Sequence, residues 1–231
     1  MNKKIHKIHI DNSIKGINLI KESNLDSKII GFKSDESVYD LHTEIPAGSD
    51  VTPLYREDHE YIHFLRHDAA HVLAQALTYM YPAIKFGKQF FRDENVFGFD
   101  VHLAGYVFTA SDFSKIAEIM RKVVASKDNI IKHIWDKEKA LSYFSNDKFK
   151  QDIISNSPKE KVTLYEHGDY IDICGGPRGL NNDHVGEHFA LLEIESSTWM
   201  YDDEKNMQRI IGICFRNKDE MDAFMKENNS K

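Results

Sequence analysis

The chain has 231 residues, of which 41% are hydrophobic, 29% charged and 11% aromatic, enough for a sizeable core and unlike a disordered sequence. Its formal net charge of −7 argues against a broad basic face that coats nucleic acid, so any RNA contact must be local. Cys174 and Cys214 offer no disulfide framework, no apolar run approaches the roughly 20 residues of a membrane span, and Met1 to His6 lack a signal-peptide core. A reducing, cytoplasmic setting without membrane contact is expected.

Ile5 to Ile10 alternate apolar and polar residues and predict a strand. Ile17 to Ser23 predicts a short helix, and Lys28 to Phe32 and Ser37 to Ile45 predict further strands. The turn residues Pro46-Ala47-Gly48-Ser49-Asp50 and Thr52-Pro53 follow, then the acidic Glu57-Asp58-His59-Glu60. These place a boundary near residue 56, separating a small β-rich unit (1–56) from the rest (57–231).

Tyr61 to Tyr81 lacks Gly and Pro, and Ala69, Val72, Leu73, Ala76, Leu77 and Met80 recur at helical spacing until Pro82. A long helix is expected there. Lys85 to Phe91 and Val96 to Leu103 predict a strand pair, and Ser111 to Ala125 an amphipathic helix capped by its serine, with Phe113, Ile116, Ile119 and Met120 buried. Ile130 to Trp135 predicts a strand and Asp136 to Phe144 a helix. Strands at Val162 to Glu166, Tyr170 to Ile173, His188 to Glu195 and Gln208 to Phe215 lead to a last helix from Lys218 to Lys226. Whole helices interrupting runs of strands, without βα alternation, predict an α+β fold with helices packed on antiparallel sheet.

Two segments carry candidate chemistry. In His67-Asp68-Ala69-Ala70-His71, the spacing of four stacks both imidazoles on one helix face, where they could pass protons, hold a water or bind a metal. The plain alternative is a pair of partly exposed helix histidines. The zinc-protease pattern is absent, because Asp68 stands where a Glu is required. In Tyr170-Ile171-Asp172-Ile173-Cys174-Gly175-Gly176-Pro177-Arg178, Asp172 and Cys174 share a strand face that runs into a turn whose glycines admit a ligand close to the backbone. A buried structural cysteine and an ordinary turn are the alternative.

Together, His-x-x-x-His and the later Tyr-x-Asp-x-Cys-x-Gly-Pro resemble the editing domain of threonyl-tRNA synthetases. Related alanyl editing proteins share the histidine pair and Cys-Gly-Gly. The continuation through Glu187-His188-Phe189-Ala190-Leu191-Leu192, Trp199 and Asn206-Met207-Gln208-Arg209-Ile210-Ile211-Gly212 is similar to the threonyl version. The resemblance runs from about Arg66 to Phe215, and residues 1–56 resemble, more weakly, a shortened form of the β-grasp TGS domain that precedes editing.

The resemblance implies hydrolysis of serine wrongly esterified to tRNA(Thr), a second sieve needed because serine and threonine differ by one methyl group. It assigns His67, His71, Lys150, Asp172 and Cys174 to the catalytic site, gathered in one pocket. His67 would position water and ribose, Lys150 stabilise charge, Asp172 fix the substrate amino group, and Cys174 form pocket wall. Lys150 falls where the family has Tyr-Lys before an apolar strand. Arg178, Lys85, Lys88 and Arg92 are expected to bind substrate, Arg178 through the terminal phosphate or Asp172.

Arg178 also stands where the family's Cys-x-x-x-His ends in histidine. A guanidinium cannot ligate a metal, so no cofactor is expected and a four-residue zinc site would require His184 to swing in. Phe97-Gly98-Phe99 replaces an expected tyrosine. The expected partners are the serine-bearing acceptor end of tRNA(Thr) and a threonyl-tRNA synthetase. The sequence stops where aminoacylation parts would follow, so an excised domain or a protein editing in trans is expected. Two alternatives stand beside this reading: a non-catalytic tRNA-binding or synthetase-associating remnant, and an alanyl-type editor of Ser- or Gly-tRNA(Ala).

Overall fold

The computed structural model describes residues 7–228. It is α+β, with every sheet built from antiparallel pairs.

The N-terminal part contains β1 (Ile8–His9), β2 (Ile14–Lys15), α1 (Gly16–Glu22), β3 (Gly31–Lys33), β4 (Val38–Asp40), β5 (Glu44–Ile45) and β6 (Asp50–Leu54). The strand expected from Ile5 is reduced to Ile8–His9, while Ile5 and His6 lie outside the described residues. A sheet ordered β1-β6-β3-β4 and the small β2-β5 pair close over α1 through Ile10, Leu19, Ile29, Phe32, Leu41, Ile45 and Val51, a hydrophobic cluster of its own.

The longest helix, α2 (Tyr61–Met80), ends where the sequence indicates, with Tyr81 as C-cap and Pro82 beyond it. A sheet ordered β12-β13-β8-β7 lies against it, formed by β7 (Lys85–Arg92), β8 (Val96–His102), β12 (Phe189–Trp199) and β13 (Asp202–Cys214). Leu65, Ala69, Val72, Leu73 and Leu77 of α2 bury against Phe97, Phe99 and Val101 of β8 and against Ile116, Met120 and Val123 of α3 (Phe113–Ser126). The expected Ser111 cap gives way to a short 3-10 turn at Ala110–Asp112, where Thr109 N donates to the Asp112 carboxylate at 2.7 Å. A side chain that closes the turn on itself displaces the simpler serine cap.

A third sheet, ordered β11-β10-β9, comprises β9 (Ile130–Asp136), β10 (Lys161–His167) and β11 (Tyr170–Ile173). Between its strands lie α4 (Lys137–Tyr143) and α5 (Lys148–Asn156), and α6 (Lys218–Asn228) closes the described chain. The apolar strand expected after Lys150 is instead α5: Asp147 caps it by accepting from Lys150 N at 3.2 Å, and Phe149 and Ile154 face inward. Among the described residues no helix is long and apolar enough to cross a membrane.

Candidate functional site

The site is organised by a buried ion pair. Asp68 of α2 and Arg178, on the turn after β11, are both wholly buried, with Arg178 Nη1 donating to Asp68 Oδ1 at 2.9 Å. Gly179 N at 2.7 Å and His184 Nε2 at 2.6 Å complete the shell on Asp68 Oδ2. Burial alone would push the Asp68 carboxyl up, but Arg178 and His184 outweigh it and hold the group well below the usual carboxylate range. Tyr61 in turn donates to the His184 carbonyl at 2.9 Å, with its hydroxyl also 3.0 Å from His184 Nδ1.

The other guanidinium nitrogen reaches the expected catalytic residues. Arg178 Nη2 donates to His71 Nε2 and, at 2.7 Å, to Cys174 Sγ, so one group bridges the α2 imidazole and the β11 thiol. The expected meeting of Arg178 with Asp172 or an open phosphate surface does not occur here: Arg178 is 0% exposed, held inward because unpaired Asp68 could not be buried. Its guanidinium fills the space between His71 and Cys174. His184 has not entered that space and stands on the opposite oxygen of Asp68.

Asp172 forms a second buried pair with Lys150, Oδ1 lying 2.6 Å from Nζ. Ile173 N donates to the same oxygen at 2.7 Å and Tyr170 OH to the other at 2.7 Å, leaving few directions open on the carboxylate. Lys150, which a lysine-rich stretch would place in solvent, is only 4% exposed, its ammonium 5.8 Å from the centre of the Phe99 ring. His67 packs edge-on against Phe91 at 4.5 Å and is half-buried.

Three of the histidines around this cluster, His67, His71 and His167, are pushed toward the uncharged form. Burial and the nearby Arg178 push His67 down to about 3 and His71 well below its ordinary value. Burial lowers His167 to about 4. Several buried polar atoms here have no hydrogen-bond partner among the described residues: His67 Nδ1, His71 Nδ1, His167 Nε2, Gln89 Nε2 and Arg178 Nε. Such atoms are costly to leave unpaired, and here they are concentrated around one group of side chains.

Of the expected basic contacts besides Arg178, none joins this cluster. Lys85 pairs with Asp147 at 3.5 Å, Lys88 is exposed, and Arg92 pairs with Glu193 at 2.8 Å and Glu195 at 3.4 Å. From the same strand β7 it is Gln89 that reaches in, accepting from Cys174 Sγ at 3.8 Å. The sequence reading also passed over Asp68, Tyr170 and His167 as site members, although a carboxylate between two helix histidines was a signal for a buried counter-charge.

The N-terminal part supplies a last positioning group. Asp40, at the end of β4 and 1% exposed, accepts from Tyr165 OH at 2.7 Å and from Arg178 N at 3.1 Å. His42 Nε2 lies 3.0 Å from the Gly179 carbonyl. Gly176 takes a left-handed φ of +79°, and a Cβ there would sit 2.7 Å from Tyr165 OH and 3.0 Å from Asp40 Oδ2, so the turn and the clasp exclude any larger residue.

No family model matches the chain. It is similar to a threonine–tRNA ligase from Wolbachia sp. subsp. Drosophila simulans (strain wRi), with 34% identity over 203 residues, 85% of this chain and 31% of that protein. The threonine–tRNA ligases of Wolbachia sp. subsp. Brugia malayi (strain TRS) and Parvibaculum lavamentivorans are 30% and 32% identical over 90% and 87% of this chain, covering 33% and 31% of their own lengths. The chain thus resembles, over most of its length, one region of threonine–tRNA ligases, and spans about a third of the length of these relatives.

Proposed function

We propose that this chain is an editing module that hydrolyses the ester of Ser-tRNA(Thr), with residues 1–56 a TGS-like unit and 57–231 the editing domain, acting in the cytoplasm on the tRNA acceptor end, in trans or alongside a threonyl-tRNA synthetase. The observation that supports this reading most is the convergence of His71 and Cys174 on one guanidinium, although 107 residues separate His71 from Arg178. Ester hydrolysis needs an oriented water, a group to stabilise the oxyanion and a proton for the leaving 3′-oxygen. In this reading, uncharged His67 and His71 orient water and ribose, Lys150 carries the stabilising charge, and Cys174 forms wall. Asp172 receives the substrate amino group on the lone pair that Tyr170 leaves open. Lys88, exposed on β7, is the basic residue best placed to meet phosphate.

A second reading is favoured by Arg178 itself. Its guanidinium, fully buried, occupies ground that hydrolysis would use, so a non-catalytic module that binds tRNA or a synthetase is the alternative. Incubating the chain with Ser-tRNA(Thr), Thr-tRNA(Thr) and Ser-tRNA(Ala), and following loss of labelled amino acid, separates the readings. Selective loss from Ser-tRNA(Thr) is expected. Loss from Ser-tRNA(Ala) alone transfers the chain to alanyl-type editing, and no loss from any substrate leaves the non-catalytic reading.

A further inference from the structure

His167, at the end of β10, is 0% exposed, and its ring centre lies 4.8 Å from that of His71. It also heads a chain of buried side chains leading outward. His167 Nδ1 is 2.9 Å from Asn182 Oδ1, Asn182 Nδ2 donates to Gln75 Oε1 at 3.1 Å, and Gln75 Nε2 donates to Tyr79 OH at 3.2 Å and to Asp128 Oδ2 at 3.4 Å. Asn182 is 0% and Gln75 1% exposed, so bulk water cannot substitute for these bonds.

The chain has a direction, and its outer end sets it. A carboxylate only accepts, so Asp128 obliges Gln75 to turn its NH₂ outward and its oxygen inward. That oxygen obliges Asn182 to donate, which turns the Asn182 oxygen toward His167. His167 must therefore carry its proton on Nδ1 and leave Nε2 bare, and Nε2 is the atom that lacks a partner. The other end gives a matching result independently. A guanidinium only donates, so His71 Nε2 must be bare toward Arg178 and its proton must sit on Nδ1, which also lacks a partner. A proton-bearing nitrogen without an acceptor and a bare nitrogen without a donor thus occur on neighbouring rings.

We infer that His167 is a positioning residue: the polarised chain from Asp128 through Gln75 and Asn182 fixes its Nδ1–H tautomer, so that a bare, proton-accepting Nε2 belongs to the ring packed beside His71, whose own Nδ1–H tautomer Arg178 sets. Burial keeps both rings uncharged, so the arrangement persists at neutral pH. The functional part of this inference rests on the proposed deacylase reading. The tautomer assignment does not, because it follows from hydrogen-bond polarity alone.

Nitrogen-15 NMR of the histidine rings in the full chain at pH 7 tests it without a substrate. The expected spectrum shows His167 and His71 both as the Nδ1–H tautomer. A proton on Nε2 of His167, or a charged ring, overturns the inference. Asp128→Asn, at a half-buried position, then gives Gln75 a neighbour that can donate as well as accept. Mixed tautomers at His167 are expected in this variant, and an unchanged spectrum refutes control from Asp128. If the chain hydrolyses Ser-tRNA(Thr), Asn182→Leu should lower kcat about tenfold with KM unchanged, whereas an unchanged kcat in a folded variant removes the role of the chain in catalysis. Absence of hydrolysis in the unaltered protein would count against the proposed function and leave the tautomer assignment to the spectra.

Discussion

Replacing Arg178 with leucine should unfold the site before it alters any chemistry. The substitution removes the donors to Asp68, His71 and Cys174 together and leaves Asp68, at 0% exposure, with only Gly179 N and His184. Removing one partner of a buried pair costs about 3–5 kcal/mol, a large part of the roughly 5–15 kcal/mol that holds a typical domain. For a chain of this size each kcal/mol moves Tm by about 2–4 °C, so a fall of about 6–20 °C is expected. The loss should depend on pH in a definite direction. Asp68 is depressed in the native protein, so its contribution is present above the unfolded carboxylate value of about 3.9 and is lost as pH falls through the folded value. Without the guanidinium, burial moves that carboxyl up, so the gap between variant and parent should already be open at pH 4 and widen further as pH rises toward the variant's raised value. Urea unfolding followed by circular dichroism at pH 4.5, 6 and 7.5 measures it. A variant melting within about 2 °C of the parent, or a gap constant with pH, would refute the argument that Arg178 is chiefly the counter-charge of Asp68.

Arg178→His puts an imidazole in place of the guanidinium and should raise Ser-tRNA(Thr) deacylation about tenfold, some 1.4 kcal/mol of barrier; a lower rate in a folded variant would make Arg178 a working part of the site. Lys150→Met strands Asp172 and should cost about 3 kcal/mol by urea titration while abolishing deacylation. His67, His71 and His167 stay neutral in the folded chain but take up protons below about 6.5 when unfolded, so stability should hold above that pH and fall between about 6 and 4; equal stability at pH 5 and 7.5 contradicts their burial. Asp40→Ala should cost about 1.5–3 kcal/mol and speed hydrogen exchange at the Arg178 amide, and unaltered exchange there would show that the turn holds itself.

Much of the scaffold was legible because its signals are local. The helix α2 shows its period and its Pro82 stop within one window, and the alternation of Tyr170 to Ile173 declares a strand. α5 was not legible: its start depends on one side chain, Asp147, and its lysines mask the inward spacing of Phe149 and Ile154. The position of Lys150 was open to reading only by resemblance, since its burial depends on a carboxylate on a distant strand, β11. Arg178 shows the limit most clearly. Arginine is exposed by default, and nothing near it in sequence announces Asp68, 110 residues away. His167, Gln75 and Asn182 were missed for the same reason, each being ordinary until its distant partners are known.

The separation of these partners also fixes when the site can exist. Asp68 meets Arg178 across 110 residues and His184 across 116, and Asp40 meets the Arg178 amide across 138. During synthesis, α2 and the N-terminal strands leave the ribosome long before the turn that neutralises them. Until then Asp68 and Asp40 are acids facing a core they cannot yet enter, and long loops must close before either is rewarded. The hydrophobic face of α2 therefore has reason to remain open and hydrated through most of translation, closing only when β11 and its turn arrive. A chaperone that shields apolar helices would find its target in this interval, and the candidate site could not form before it ends.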